Sequence, residues 1–215
     1  MNLKAFLTWV AAVLIAIVPA TSRTVAAPAS FEVDSTRSRA LIEVGKSGAF
    51  SFVAGHTHEV VSSTMTGVIH VDRESPTQAD VRLDIDARGL KVTGKGDPPE
   101  DVPKVQEVML SPKVLDVARF PTIRYESTNV SIKGQSAATL DLIVTGRLTL
   151  RGIAHSVTVP VHVAFDGGEL TADGKFSVKQ SDYGITPISV AGAVAVKDAL
   201  AISFTVVARK PTGTP

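Results

Sequence analysis

The chain has 215 residues, 44% hydrophobic and 20% charged, with a net charge of +1. That is long enough to bury a full core and too apolar for a disordered chain, and the near-neutral balance gives no support for a nucleic-acid or anionic-membrane binder. The chain has no cysteine, which excludes disulfide scaffolds, thiolate zinc sites, cysteine nucleophiles and a lipidated N-terminal cysteine.

Residues 1–29 contain no acid, one early base at Lys4, and an apolar run from Ala5 to Val18. A short basic segment followed by about 7–15 apolar residues has the form of a secretory signal peptide. The run is shorter than the roughly 20 residues a membrane-spanning helix needs. Small-x-Ala sites follow at Val18-Pro19-Ala20 and at Ala27-Pro28-Ala29. The second is preferred, because the patterned domain starts at Phe31. Cutting there removes Lys4, Arg23 and the single tryptophan, Trp9, and takes the net charge from +1 to −1. The expectation is a signal peptide over 1–29, one domain over 30–210 and a disordered tail over 211–215.

From Phe31 onward the dominant hydrophobic period is two, the mark of half-buried strands. The early segments 39–45, 50–53 and 61–71 carry it weakly. In 79–90 it is strong: Val81, Leu83, Ile85 and Ala87 alternate with Arg82, Asp84, Asp86 and Arg88. Residues 94–120 interrupt it. There Gly94-Lys95-Gly96-Asp97-Pro98-Pro99 breaks the sheet, and 97–101 reads as an exposed loop tip. Asp101 is placed to cap a helix over Val102–Leu110, and Ser111-Pro112 to open a short second helix ending at Val117. Alternation resumes weakly over 122–131 and strongly over 140–150 and 155–165, then continues in Glu169–Lys179 and 200–206. Asp166-Gly167-Gly168 and Lys197-Asp198 supply turn chemistry. Pro160 predicts an edge position or a bulge, and Gly174 a bulge or kink. Eight or more strands with one helical excursion predict an all-β fold, a closed barrel or a sandwich with a cap.

Several collinear segments resemble the YceI-like family of secreted, lipocalin-shaped proteins. They are Phe31-Glu32-Val33-Asp34 with Arg37-Ser38, the stretch from Leu115 through Phe120-Pro121 to Glu126-Ser127-Thr128, Thr145-Gly146-Arg147-Leu148-Thr149-Leu150-Arg151-Gly152, and Ser181-Asp182-Tyr183-Gly184-Ile185. The resemblance implies an extended eight-stranded antiparallel, lipocalin-like barrel in the periplasm, holding a polyisoprenoid or similar long-chain lipid. Two positions depart from the pattern. Arg37 stands where many relatives carry His, and Gly55-His56-Thr57-His58 stands where many carry a more apolar segment.

The candidate lipid-binding residues are Phe52, Val68, Leu83, Leu142, Val144 and Phe204 around the tail, with His56, His58, Tyr125 and Tyr183 as polar or amphipathic contacts for the head. His56 and His58 share one face of an extended chain, so an ion or an anionic head could also meet both. His155 lies on the Val157/Val159 face and reads as a core histidine. No Gly-x-Ser-x-Gly elbow or phosphate-binding loop is present. The expectation is therefore capture without catalysis, with no cofactor, no nucleic-acid partner and transient membrane contact during loading. The alternatives are a barrel filled by its own side chains, acting as an interaction module, and a histidine-based metal site.

Overall fold

A computed structural model describes residues 28–47, 57–62, 64–190 and 194–211. Most of the leader, the strand expected at 50–53 and nearly all of the C-terminal tail lie outside the described residues. The strands are β1 (Ala29–Val33), β2 (Arg39–Ser47), β3 (His58–Ser62), β4 (Met65–Val71), β5 (Asp80–Asp86), β6 (Lys91–Val92), β7 (Thr122–Gln135), β8 (Thr139–Leu150), β9 (Ile153–Asp166), β10 (Glu169–Lys179), β11 (Ser189–Val190) and β12 (Val194–Arg209), with one helix, α1 (Val102–Leu110). All pairings are antiparallel, and the sheet closes into a barrel of eight strands because β12 returns to pair with β1 and β2. The pairs β1/β2, β3/β4 and β5/β6 are each one stave of the barrel broken in two.

The alternation that marks the strands also decides which face is buried. On β8, Leu140, Leu142, Val144, Leu148 and Leu150 are buried, while Asp141 and Arg147 between them are exposed. The inward side chains form two clusters. One lies inside the barrel around Phe31, Met65, Leu142, Val159, Leu170 and Val206. The other closes the end beneath α1 around Val60, Leu90, Leu115, Leu150, Tyr183 and Ile185. Gln106 ties the helix to that end: its Oε1 accepts from Val92 N at 2.8 Å and its Nε2 donates to Leu90 O at 2.9 Å.

The seam along β12 is fixed by side chains as well as by the ladder. Buried Ser38 sits at the β1/β2 break, where its Oγ accepts from Val207 N at 3.0 Å and donates to Val207 O at 3.2 Å. It thereby satisfies the Val207 N–H where the ladder is interrupted and shares the Val207 carbonyl with Asp34 N, which donates to it at 2.8 Å. Arg37 donates to both oxygens of Glu169 at 2.5 and 2.9 Å, and Arg209 Nε donates to Glu169 Oε2 at 3.0 Å. Arg37 is thus a bidentate clamp across the closure.

Five expectations need correction. The segment 61–71 is not one strand but the end of β3, a turn and β4. The strand at 79–90 stops at Asp86, whose carboxylate accepts from Arg88 N at 3.0 Å and starts a 3₁₀ turn over Ala87–Gly89. No helix follows Ser111: its extended ψ of 170° ends α1, and Leu115 N turns back to Met109 O at 3.0 Å. Asp101 makes no side-chain cap; its carboxylate sits 3.6 Å from Lys104 Nζ. Gly174 is neither bulge nor kink. It pairs in register with Phe204 and Val161, and a Cβ there would lie 2.5 Å from Phe204 Cζ, so the glycine makes room for a ring. Gly146 does the same for Tyr125, at 2.4 Å from Cζ. Pro160 does lie at an edge, next to the point where the β9–β10 ladder ends at Val161↔Gly174.

Two outcomes are expected. Gly146→Ala would drive a methyl against Tyr125 and the Glu126 carbonyl, lowering stability by about 1–3 kcal/mol in chemical denaturation. Hydrogen bonds from Arg37, then from Arg209, hold the Glu169 carboxyl below its ordinary value of 4.5. A depressed folded-state value means the clamp stabilises fully above the unfolded value and is lost as pH falls through the folded one. Melting curves below about pH 4.5 should therefore drop less steeply for Glu169→Gln than for the unaltered protein.

Candidate ligand-binding site

The inward faces of the staves enclose a cavity of about 140 Å³ in the middle of the barrel. Met65 and Ile69 on β4, Leu83 and Ile85 on β5, Leu142 and Val144 on β8, Val159 and Val161 on β9, Phe176 on β10 and Phe204 on β12 all face it. Each reaches it by the same period of two. Every lining side chain is apolar except Tyr125, whose phenol supplies the only hydroxyl on the described wall. That hydroxyl is buried without a hydrogen-bond partner, and burial pushes its pKa to about 12. An unsatisfied buried hydroxyl costs about 1–3 kcal/mol. The hydroxyl is packed against Gly146, so the described wall presents only apolar surface to the lumen.

A cavity of this size holds a ring-sized apolar group; one of about 150 Å³ lined by aliphatic side chains takes up benzene. A longer chain must continue along the barrel axis into the cluster beneath α1, which meets the cavity at Leu148.

Five of the candidate residues line the cavity: Leu83, Tyr125, Leu142, Val144 and Phe204. Val68 does not. It follows Gly67, and its neighbour Ile69 takes the inward position, so the inner face of β4 is Met65–Ile69–Val71. Two adjacent apolar residues left that register ambiguous in the sequence. Phe52 and His56 lie outside the described residues. His58 lines a different cavity, beneath α1, where its Nδ1 lies 2.8 Å from Asp97 Oδ1. Tyr183 is buried in the end cluster with its hydroxyl unpartnered, and desolvation together with the charge of Asp182 raises its pKa. His58 and Tyr183 therefore do not share the lumen wall with the tail-facing residues.

His155 is exposed and lies edge-on against Tyr183, ring centres 5.2 Å apart at 75°, instead of sitting in the core. Asp97 corrects the reading of 97–101 as an exposed tip, because its side chain is only 1% exposed. Among the described residues no three His, Cys, Asp or Glu side chains come close enough to hold a metal ion. Sequence reasoning missed Met65, Ile69, Val159, Val161 and Phe176 as lumen residues. The alternation in 155–165 marks Val159 and Val161. Phe176 has no such mark, since its inward neighbour is Gly174.

Tyr125→Phe removes the unmet hydroxyl while keeping the ring. It should leave stability unchanged or raise it by about 1 kcal/mol in urea unfolding, and remove one tyrosine titration near pH 12 from the absorbance spectrum.

Comparison with solved structures finds the same fold in BcnA of Burkholderia cenocepacia, with a TM-score of 0.64 and 22% identity over 81% of this chain and 98% of that one. A polyisoprenoid-binding domain from Saccharophagus degradans matches with a TM-score of 0.60 and 13% identity, over 86% and 99%. The YceI protein of Campylobacter jejuni matches with a TM-score of 0.52 and 10% identity, over 70% and 83%. No curated protein matches in sequence. The family model for the YceI-like domain matches residues 31–208, nearly the whole barrel, and the chain belongs to that family.

Proposed function

We propose that this protein captures a long-chain apolar amphiphile, an isoprenoid-like lipid, and carries or stores it non-covalently in the barrel lumen of an exported protein. The observation that carries the reading is the enclosed lumen whose described wall presents only apolar surface. The family membership and the polyisoprenoid-binding domain of the same fold support it. Leu83, Leu142, Val144 and Phe204 enclose the tail, together with the ring of Tyr125. The leader expected over 1–29 supports export and the family membership a periplasmic site of action, with a transient membrane contact for loading. The chemistry is capture without catalysis.

Magnitudes decide how much of a ligand must be buried. Filling 140 Å³ recovers on the order of 3 kcal/mol, close to the value of one five-carbon isoprene unit at about 0.8 kcal/mol per carbon. Micromolar affinity needs about 8 kcal/mol. Two or more units must therefore be enclosed, and the tail runs past Leu148 toward Leu150 and Tyr183 of the end cluster, which do not line the cavity beneath α1. The small cavity also favours a second reading, in which the barrel is filled by its own side chains and the outer surface does the work.

One experiment separates the two readings. The protein is recovered from its own cell envelope without detergent exchange, and its mass is measured intact and after lipid extraction. The lipid carrier is expected to arrive with a stoichiometric long-chain species. Ala172→Phe, which places a ring in the lumen, should lose that species while keeping its melting temperature within a few degrees. A bare chain in repeated preparations would rule out the carrier.

A further inference from the structure

A second cavity lies between α1 and the wall formed by β2, β3 and β12. It measures about 510 Å³, within the range of small-molecule sites, and shares no lining residue with the lumen. Val105, Val108 and Met109 of α1 face Val44, Val60 and Val196 across it. Into this apolar slot the fold inserts one buried pair. Asp97 is held out of water with one oxygen 2.8 Å from His58 Nδ1 and the other without a partner, while the His58 side chain keeps 21% exposure at the cavity wall.

The pair has a chemical direction. A carboxylate can only accept, so the proton between the two groups belongs to Nδ1. With Nδ1 donating, the neutral ring offers the lone pair of Nε2. Formal charge at the wall balances, Lys46 and Lys104 against Asp97 and Asp101, and Lys104 already lies 3.6 Å from Asp101. No net charge draws an ion. The group this cavity receives is a neutral hydrogen-bond donor on an apolar body.

We propose that the cavity beneath α1 is a second binding site, separate from the lumen, for an amphiphile that donates a hydrogen bond from a hydroxyl group to Nε2 of His58 and lays its chain along Val105 and Met109. Asp97 is a positioning residue: it fixes the imidazole tautomer and ring orientation, as a backing carboxylate does wherever histidine must present one nitrogen.

The methionines give each cavity its own reporter. Met1 opens the leader, Met65 lines the lumen and Met109 lines the second cavity. The protein, carrying ¹³C-labelled methionine methyl groups, is titrated with decanol and with decyl methyl ether, which keeps the chain and the acceptor oxygen but has no donor. Decanol is expected to shift the Met109 methyl saturably, with the ether about three- to tenfold weaker, the range of one neutral hydrogen bond. His58→Phe should bring decanol down to the affinity of the ether while the Met65 signal, unmoved, reports an intact barrel. Should that variant fail to fold, the alcohol–ether comparison on the unaltered protein decides alone. Equal binding of alcohol and ether at Met109, no shift at Met109, or unchanged decanol affinity in folded His58→Phe would each overturn the proposal. A response at Met65 without one at Met109 would leave the lumen reading standing and remove the second site.

Discussion

Closure of the sheet along β12 is the constraint on which everything else rests. This strand pairs with β10 along its whole central length, with β2 beside it and with β1 at its end. A protein without cysteine has no covalent means of holding a ring of strands together, so the ladder itself must leave no long edge unpaired. The break between β1 and β2 would expose backbone groups at the seam. Ser38 satisfies the Val207 N–H there, and the Arg37–Glu169–Arg209 cluster clamps the outside. Where β9 parts from β10, the turn carrying buried Tyr183 packs against both strands, with Pro160 beside the parting point.

Closure creates an inside, and the alternation of side chains fills it. Eight staves with one apolar face each leave an interior that their own side chains nearly, but not wholly, occupy. In two aromatic–glycine pairs, Tyr125 over Gly146 and Phe204 over Gly174, the ring takes the space that a side chain on the neighbouring strand would fill. The Tyr125 hydroxyl pays for that arrangement by losing its partner. At the helical end the same sheet meets α1, and the gap between them becomes a cavity of different character, lined by apolar side chains and by the His58–Asp97 pair among balanced charges. One scaffold thus separates an apolar lumen from a polar-tipped slot.

The barrel was legible because its strongest signal is local. Leu140–Leu150 and the run ending at Phe165 alternate without ambiguity, and α1 occupies Val102–Leu110 as its pattern requires. What was hidden depends on partners distant in sequence. Val68 and Ile69 are equally apolar, and only pairing of β4 with both neighbours decides which faces inward. His155 continues a period that the wall no longer uses, because β9 has already left β10 there. Asp97 sits in a Gly- and Pro-rich loop that reads as exposed, and its burial follows from a histidine on β3, 39 residues away. Gly146 and Gly174 are spaces made for rings on other strands, which no local pattern announces.

The most direct measurement is a crystal structure of the protein recovered from its own cells with whatever it carries. The account predicts continuous elongated density through the barrel, touching Leu83, Leu142, Val144 and the ring of Tyr125, with the far end reaching past Leu148 toward Tyr183. A lumen closed around its own side chains, with an extracted lipid found only on the outer face, would contradict it.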